Sequence, residues 1–348
     1  MVKKWLIPLF ALILLLSMTA CGQNKTAYES LKQGSAKLAE ADSFEYSGAL
    51  ALQLDTKSAA EAEETQVMQM LSNVEVKFSG VQYKKAKKAS VNLELNLKGD
   101  MSFSLAIPVV VDNENIYVKI PQIPMLPLPE EITGKYVHLT KEDIEKLSAE
   151  AAQSKPDLDP DKEKQLSKEL GDVFAKHFKE DDQLVKVSRK KSSADVPDHV
   201  KQVIEYSITN DSFPLLVEKV VKNLIPDIIT VLNKPEYQEM TGVQADTLEN
   251  YQKSLDGFTT DELKKQLTVN EAIAQFGLDG SGYLSYLRDK FDFTSTEENG
   301  DKANTAFDLS FNATNINKTK AEVVIPKKEE TISLTELQEQ FGTSFLSP

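Results

Sequence analysis

Val91-Asn-Leu93-Glu-Leu95-Asn-Leu97-Lys-Gly99-Asp100-Met101-Ser-Phe103-Ser-Leu105-Ala-Ile107 is the stretch on which the fold turns. Apolar side chains take every second place on both sides of Gly99-Asp100. That is the period of a strand with one buried face, and so short a turn joins the two runs into a hairpin. Upstream, Val74, Val76 and Phe78 alternate, and the phase changes after Gly80 to Val81 and Tyr83, which predicts a β-bulge. Earlier still, Phe44, Tyr46, Leu50, Leu52 and Leu54 read as a further strand. Downstream, Val109 to Val111 and Ile116 to Ile120 flank a turn at Asp112-Asn113-Glu114-Asn115, and Lys135 to Leu139 adds one more strand. The first half is therefore predicted to be an antiparallel meander.

Helical spacing surrounds it. Gln23 to Asp42 carries a modest apolar stripe, and Thr140-Lys-Glu-Asp143 reads as a helix cap. Leu166, Leu170, Val173, Phe174 and Phe178 form one helix face, with His177 off that stripe and pointing to solvent. Phe213 to Leu232 is a broad apolar helix that Pro226 kinks or breaks, and Pro235 to Phe276 continues in helical spacing. Strands are predicted at Leu184 to Ser188, Lys201 to Thr209, Gly282 to Phe293, Phe307 to Ala313 and Val323 to Ile325, with a hairpin signal at Asn299-Gly300-Asp301. Ser333-Leu-Thr-Glu336 is a capping box for a last helix. The apolar loop with Pro121, Pro124, Pro127 and Pro129 is expected to pack over a sheet edge. Asp157, Asp159 and Asp161 resemble the start of a calcium loop, but Lys162 and Lys168 stand where glycine and an acid are needed.

These readings give an α+β chain: curved antiparallel meander sheet packed on helices, with a helical insertion in the second half. The expected domains are a leader at 1–20, an N-terminal helix plus sheet at 21–148, a linker and helix at 149–183, and a second sheet half at 184–348 with helical insertion 213–276.

The 348 residues include 40 basic and 54 acidic side chains, a net charge of −14. Such a surface argues against nucleic acid and against anionic lipid headgroups as partners. The chain opens with Lys3-Lys4, an apolar run from Trp5 to Leu16, and Ser17-Met18-Thr19-Ala20-Cys21, the basic, apolar and small-residue parts of a secretory signal. The run is too short for a membrane span, which takes about 20 apolar residues. Met18-Thr19-Ala20-Cys21 resembles a lipobox, and Cys21 is the chain's only cysteine. Cys21 is therefore the expected lipidation site, carrying a covalent diacylglycerol and, in many bacteria, an N-acyl chain. That places the protein on the extracytoplasmic face of the cell membrane, with the membrane as partner through the anchor. No disulfide is available, and no other cofactor is expected. His138, His177 and His199 are scattered and suggest no metal site. Gly280-Ser281-Gly282 lacks the outer pattern of a nucleophile elbow, no glycine-rich phosphate loop occurs, and Trp5, the lone tryptophan, belongs to the leader. A non-enzymatic protein is expected.

The order of lipobox, helix, Ser43-Phe44-Glu45-Tyr46-Ser47-Gly48 and long alternating strands with Asn115-Ile116-Tyr117-Val118 resembles the LolA/LppX-like lipoproteins, mainly over residues 26 to 147. The resemblance implies a curved sheet wrapped over helices that holds acyl chains or lipidated clients. Leu50, Leu52, Leu93, Leu95, Phe103 and Leu105 would line its concave, ligand-binding wall. The expected function is then binding of an apolar ligand or lipid under the sheet. The alternative is a structural or interaction lipoprotein of the envelope, meeting other envelope proteins, in which those six residues close a core against Leu216 to Ile229 and no small molecule is bound.

Overall fold

The computed structural model describes residues 26–54, 73–97, 103–122, 128–129, 131–144, 146, 160–179, 183–192, 195–241, 250, 253, 259–296 and 300–341. The strands are β1 (Ser43–Leu54), β2 (Asn73–Tyr83), β3 (Lys88–Leu97), β4 (Phe103–Asp112), β5 (Asn115–Lys119), β6 (Tyr136–Leu139), β7 (Leu184–Val187), β8 (Val200–Ser207), β9 (Leu267–Asp279), β10 (Leu284–Thr296), β11 (Lys302–Thr314) and β12 (Thr331–Ser333). The chain divides into two compact units, one of residues 1–40, 52–65 and 156–310, the other of 41–51, 66–155 and 311–348.

In the first unit the strand order is β11-β10-β9-β8-β7. Its helical layer begins at Thr26, whose hydroxyl accepts from the Glu29 amide (3.1 Å) while the Glu29 carboxylate accepts from the Thr26 amide (3.0 Å). This reciprocal cap satisfies two donors that a helix start leaves open, and the helix runs Ala27–Glu40, shorter at both ends than the sequence suggested. Gly34 lets it lie close: a methyl group there would overlap the Leu278 side chain. Tyr28 and Leu31 join Phe174 and Phe178 of the helix Pro160–Phe178, Leu216 to Ile229, and Ile204, Ala274, Phe276 and Leu278 of the strands in one buried cluster.

The long apolar helix runs through Pro226 without leaving helical conformation, so in place of the expected kink or break there is a widened turn. Helix Ser212–Lys219 passes through a π-helical turn, Val220–Leu224, into helix Ile225–Leu232. Proline has no amide hydrogen for the ladder, and the wider turn just before it absorbs the missing bond. Helical spacing failed further on: after short helices Pro235–Thr241 and Thr260–Gln266, residues Leu267–Asp279 form β9. Ile273 to Leu278 are buried in succession, so apolar residues occupy both faces and the period of two is hidden.

In the second unit the order is β12-β6-β5-β4-β3-β2-β1. The hairpin logic holds, with Leu97 opposite both Val74 and Phe103, Leu95 opposite Val76 and Leu105, and Leu93 opposite Phe78 and Ile107. On the β3 side the bulge expected at Gly80 does not form, since β2 and β3 pair without a register shift. A Cβ at Gly80 would overlap the Ser90 carbonyl and crowd the Tyr46 ring. The phase change instead marks a switch in which face is buried, with Val81 and Val110 covered opposite the Leu93 side. β4 runs unbroken through Pro108, joining two segments that sequence separated. A small core of Ile120, Ile132, Ile332 and Leu337 also takes in Leu128 from the proline-rich loop; residues 123–127 of that loop lie outside the described residues. Val323 to Ile325 is not a strand, and Val324 is 73% exposed. The last strand is β12, parallel to β6, and the Ser333–Glu336 box caps the helix Leu334–Phe341 as expected.

The expected curved, wrapping sheet is therefore corrected. The chain is a mixed α+β fold with a helical segment at Ser212 to Leu232, but its strand order is open and ends on β12 and β7. Closing into a barrel would need those two end strands to pair, and among the described residues they do not.

Candidate functional site

Cys21 lies outside the described residues. Leu50, Leu52, Leu93, Leu95, Phe103 and Leu105 are all half-buried. The core that contains Leu216 to Ile229 includes none of them; those helices pack on β8, β9 and β10 instead. The curled cradle is corrected by the open strand order, and the closed core against that helix by a core cluster that contains none of the six.

Polar side chains converge instead on the other face of β8 to β11. Gln275, fully buried, donates to Ser192 Oγ (2.6 Å) and Glu205 Oε1 (2.7 Å), and the Ser192 hydroxyl donates to the same carboxylate (2.8 Å). Glu205 and Arg288 both stand opposite Gln275 in the ladder, so all three point to one face. Arg288 clamps Asp308 through Nε and Nη2 (3.3 and 3.0 Å), and Tyr286 donates to the Asp195 carbonyl (3.2 Å). Two residues further along β10, Lys290 pairs with Glu271 (2.5 Å). The Asn270 amide reaches Asp292, Thr294 and Asn304 (2.8, 2.9 and 3.2 Å). Each cation is neutralised by an acid and each amide is already oriented. Such a surface presents fixed donors and acceptors and is acidic on balance, with Glu205, Glu271, Asp292 and Asp308 against Arg288 and Lys290, suited to hydrogen bonding with a polar partner. The Ser192 hydroxyl bonds an acid and an amide.

The signal for this face is in the sequence. Glu271 and Gln275 on β9, with Arg288 and Lys290 on β10, recur at even spacing, and are missed only if 267–276 is read as helix.

The opposite face holds one anomaly. Asp289 is fully buried opposite Ala274, a residue of the main core, and neither carboxylate oxygen has a partner among the described residues. Burial pushes its carboxyl up to about 8, so at neutral pH it is held as the uncharged acid.

The histidines are used separately. His138 stacks on Tyr117 and its Nε2 lies 2.8 Å from Asn115 Oδ1. His177 is not solvated as the helix face suggested: its Nε2 is 2.6 Å from Asp227 Oδ2, which also accepts from Lys176 (2.7 Å). The hydrogen bond from Lys176, then that from His177, holds the Asp227 carboxyl below the usual range. His199 Nε2 is buried without a hydrogen-bond partner among the described residues. Among the described residues no three histidine or acidic side chains converge as a metal site, and no helix is long and apolar enough to cross a membrane.

No family model matches the chain, and no curated protein matches it. The likeness to LolA/LppX-like proteins is withdrawn: sequence comparison does not carry it, and an open strand order is not the curled sheet that fold requires. The lipid-carrying role inferred from it falls as well.

Proposed function

We propose that this chain is exported, held at the extracytoplasmic face of the cell membrane by a diacylglyceryl thioether on Cys21, and works there by polar recognition and not by catalysis. The observation that carries the reading is the shortness of the tether. Five residues separate Cys21 from Ala27, the first residue of a helix whose Leu31 is 1% exposed. Fully extended, the five steps from Cys21 to Thr26 span at most about 18 Å. An acylated sulfur therefore keeps the first unit beside the bilayer, and two or three buried acyl chains make such an anchor stable. The recognition surface in this reading is the row of Glu205, Arg288, Asp308, Lys290 and Asn270, held in place by one another and by the fully buried Gln275 beneath Glu205.

Labelled palmitate tests the anchor. The native chain should take up label and fractionate with membranes, and Cys21→Ser should lose the label and accumulate with its leader uncut. Equal labelling of the two would remove the proposal.

A further inference from the structure

In a chain of net charge −14, Lys84-Lys85-Ala86-Lys87-Lys88 forms the tip of the β2–β3 hairpin. The fold brings a second basic turn to it. The Lys84 amide donates to the Asp42 carbonyl (2.7 Å), the Asp42 amide donates to Asn317 Oδ1 (2.7 Å), and the Asn317 amide donates to the Ser43 carbonyl (2.7 Å). Tyr83 adds a bond to the Ala321 carbonyl (2.5 Å), and the Asn113 amide ties the next turn to the Lys87 carbonyl (2.8 Å). Lys318 and Lys320 thus stand beside the hairpin tip, within the same unit.

Most acids at this end are engaged, Glu114 with Lys141 (3.0 Å) among them, while Glu322, two residues after Lys320, is exposed. Asp42 pairs with Lys85 (2.6 Å) and Asp112 with Lys88 (3.4 Å). Glu45 is held by Thr319 and Asn315 (2.6 and 3.0 Å). Lys87, Lys318 and Lys320 are exposed and make no ion pair among the described residues.

Backbone conformation adds an independent sign. Lys87, Asn113, Asn315 and Asn317, with φ of 50°, 57°, 50° and 58°, are the non-glycine residues with positive φ among the described residues, and all four sit in these turns. Asparagine tolerates that region, whereas at Lys87 glycine would be the unstrained choice. A cation stands where conformation alone would not select one.

We propose that the end formed by residues 84–88, 112–115 and 315–320 docks on the phosphate-bearing headgroups of an anionic bilayer. The occupant follows from charge complementarity and from the membrane tether, so the location rests on the anchored reading above. The contact is with headgroup charge alone. Net charge misled here because counterions screen exposed charges beyond about 8 Å at physiological salt, so a local patch acts by its own sign.

Amine footprinting of the full chain, purified from membranes and reconstituted, tests it. Vesicles of phosphatidylcholine alone are compared with vesicles containing phosphatidylglycerol. Acetylation of Lys87, Lys318 and Lys320 should slow about threefold or more in the anionic vesicles and recover in 1 M salt, where screening shortens to about 3 Å. Lys222 and Lys264, in the other unit, serve as reference sites. Lys87→Gly, which relieves the backbone, should melt no lower than the native chain yet lose much of the protection at Lys318 and Lys320. Equal rates in both vesicles overturn the proposal, as does protection by inorganic phosphate in phosphatidylcholine vesicles, or full protection in Lys87→Gly. Flotation separates the two readings: a chain that leaves neutral vesicles has no anchor, while salt-sensitive flotation with anionic vesicles still reports the patch.

Discussion

β9 and β3 are both antiparallel strands with neighbours on each side, yet only β3 looks like one in the sequence. In β3 the side chains of Val91, Leu93, Leu95 and Leu97 share one face, with Asn92, Glu94 and Asn96 on the other. In β9 the helices cover Ala274, Phe276 and Leu278. On the reverse side Val196, Val200, Val203 and Tyr286 form a cluster across the strands, and the Ser192 and Glu205 bonds enclose Gln275. Alternation therefore reports burial on one face, and a strand covered on both loses it. The same difference separates the energetics: β9 is packed among fully buried side chains, whereas the Leu93 face of β3 is only half-buried.

The widest contrast should appear in pH. The folded chain keeps the Asp289 proton up to about pH 8, while an unfolded chain releases an aspartate proton near 3.9. Stability from this group is whole below the lower value, declines as pH rises through the window, and is gone above the upper one. The swing is on the order of 5 kcal/mol at most. Asp289→Asn should flatten it, so urea midpoints measured at pH 5, 7 and 9 should converge in the variant and fall in the native chain. Parallel slopes would show that the carboxyl is paired or solvated after all.

Truncations come next. Phe276→Ala, at a residue 1% exposed, should cost about 3–5 kcal/mol, and Leu95→Ala, on the half-buried face, about 1–2 kcal/mol. Denaturant titration of both variants decides whether the two strands differ as described; equal losses would mean the Leu93 face is as tightly packed as β9. Gly80→Ala should lose about 1–3 kcal/mol because the added methyl group meets the Ser90 carbonyl, a backbone atom that cannot step aside. A melting temperature equal to that of the native chain would restore the bulge that the register denies. Smallest of all, Val324→Ser lies on an exposed segment and should change stability by less than about 0.5 kcal/mol; a larger drop would return that segment to the sheet.

Local rules carried the sequence reading a long way. Capping at Thr140 and Ser333 was visible because the partner of each hydroxyl lies three residues ahead. The hairpins β2–β3–β4 were visible for the same reason: period and turn act within one or two elements. His177 was misplaced because its partner Asp227 is fifty residues away. The polar face of β8 to β11 went unread for another reason: 267–276, which carries Glu271 and Gln275, has helical spacing but forms a strand.

What the residues determined by themselves is the alternation of β2, β3 and β4 and the caps at Thr140 and Ser333. Those features depend on bond geometry and on which side chains prefer water, and both act over a few residues. Tertiary structure alone decided that the strand order is open, that the helices at 212–232 cover β9 and not β3, that Asp289 is sealed from water, and that two lysine-bearing turns share one end of a unit. Each is a choice of partner between distant segments. Pairings of that kind are selected by packing and hydrogen-bond satisfaction of the whole chain, and no short window contains both sides of the choice.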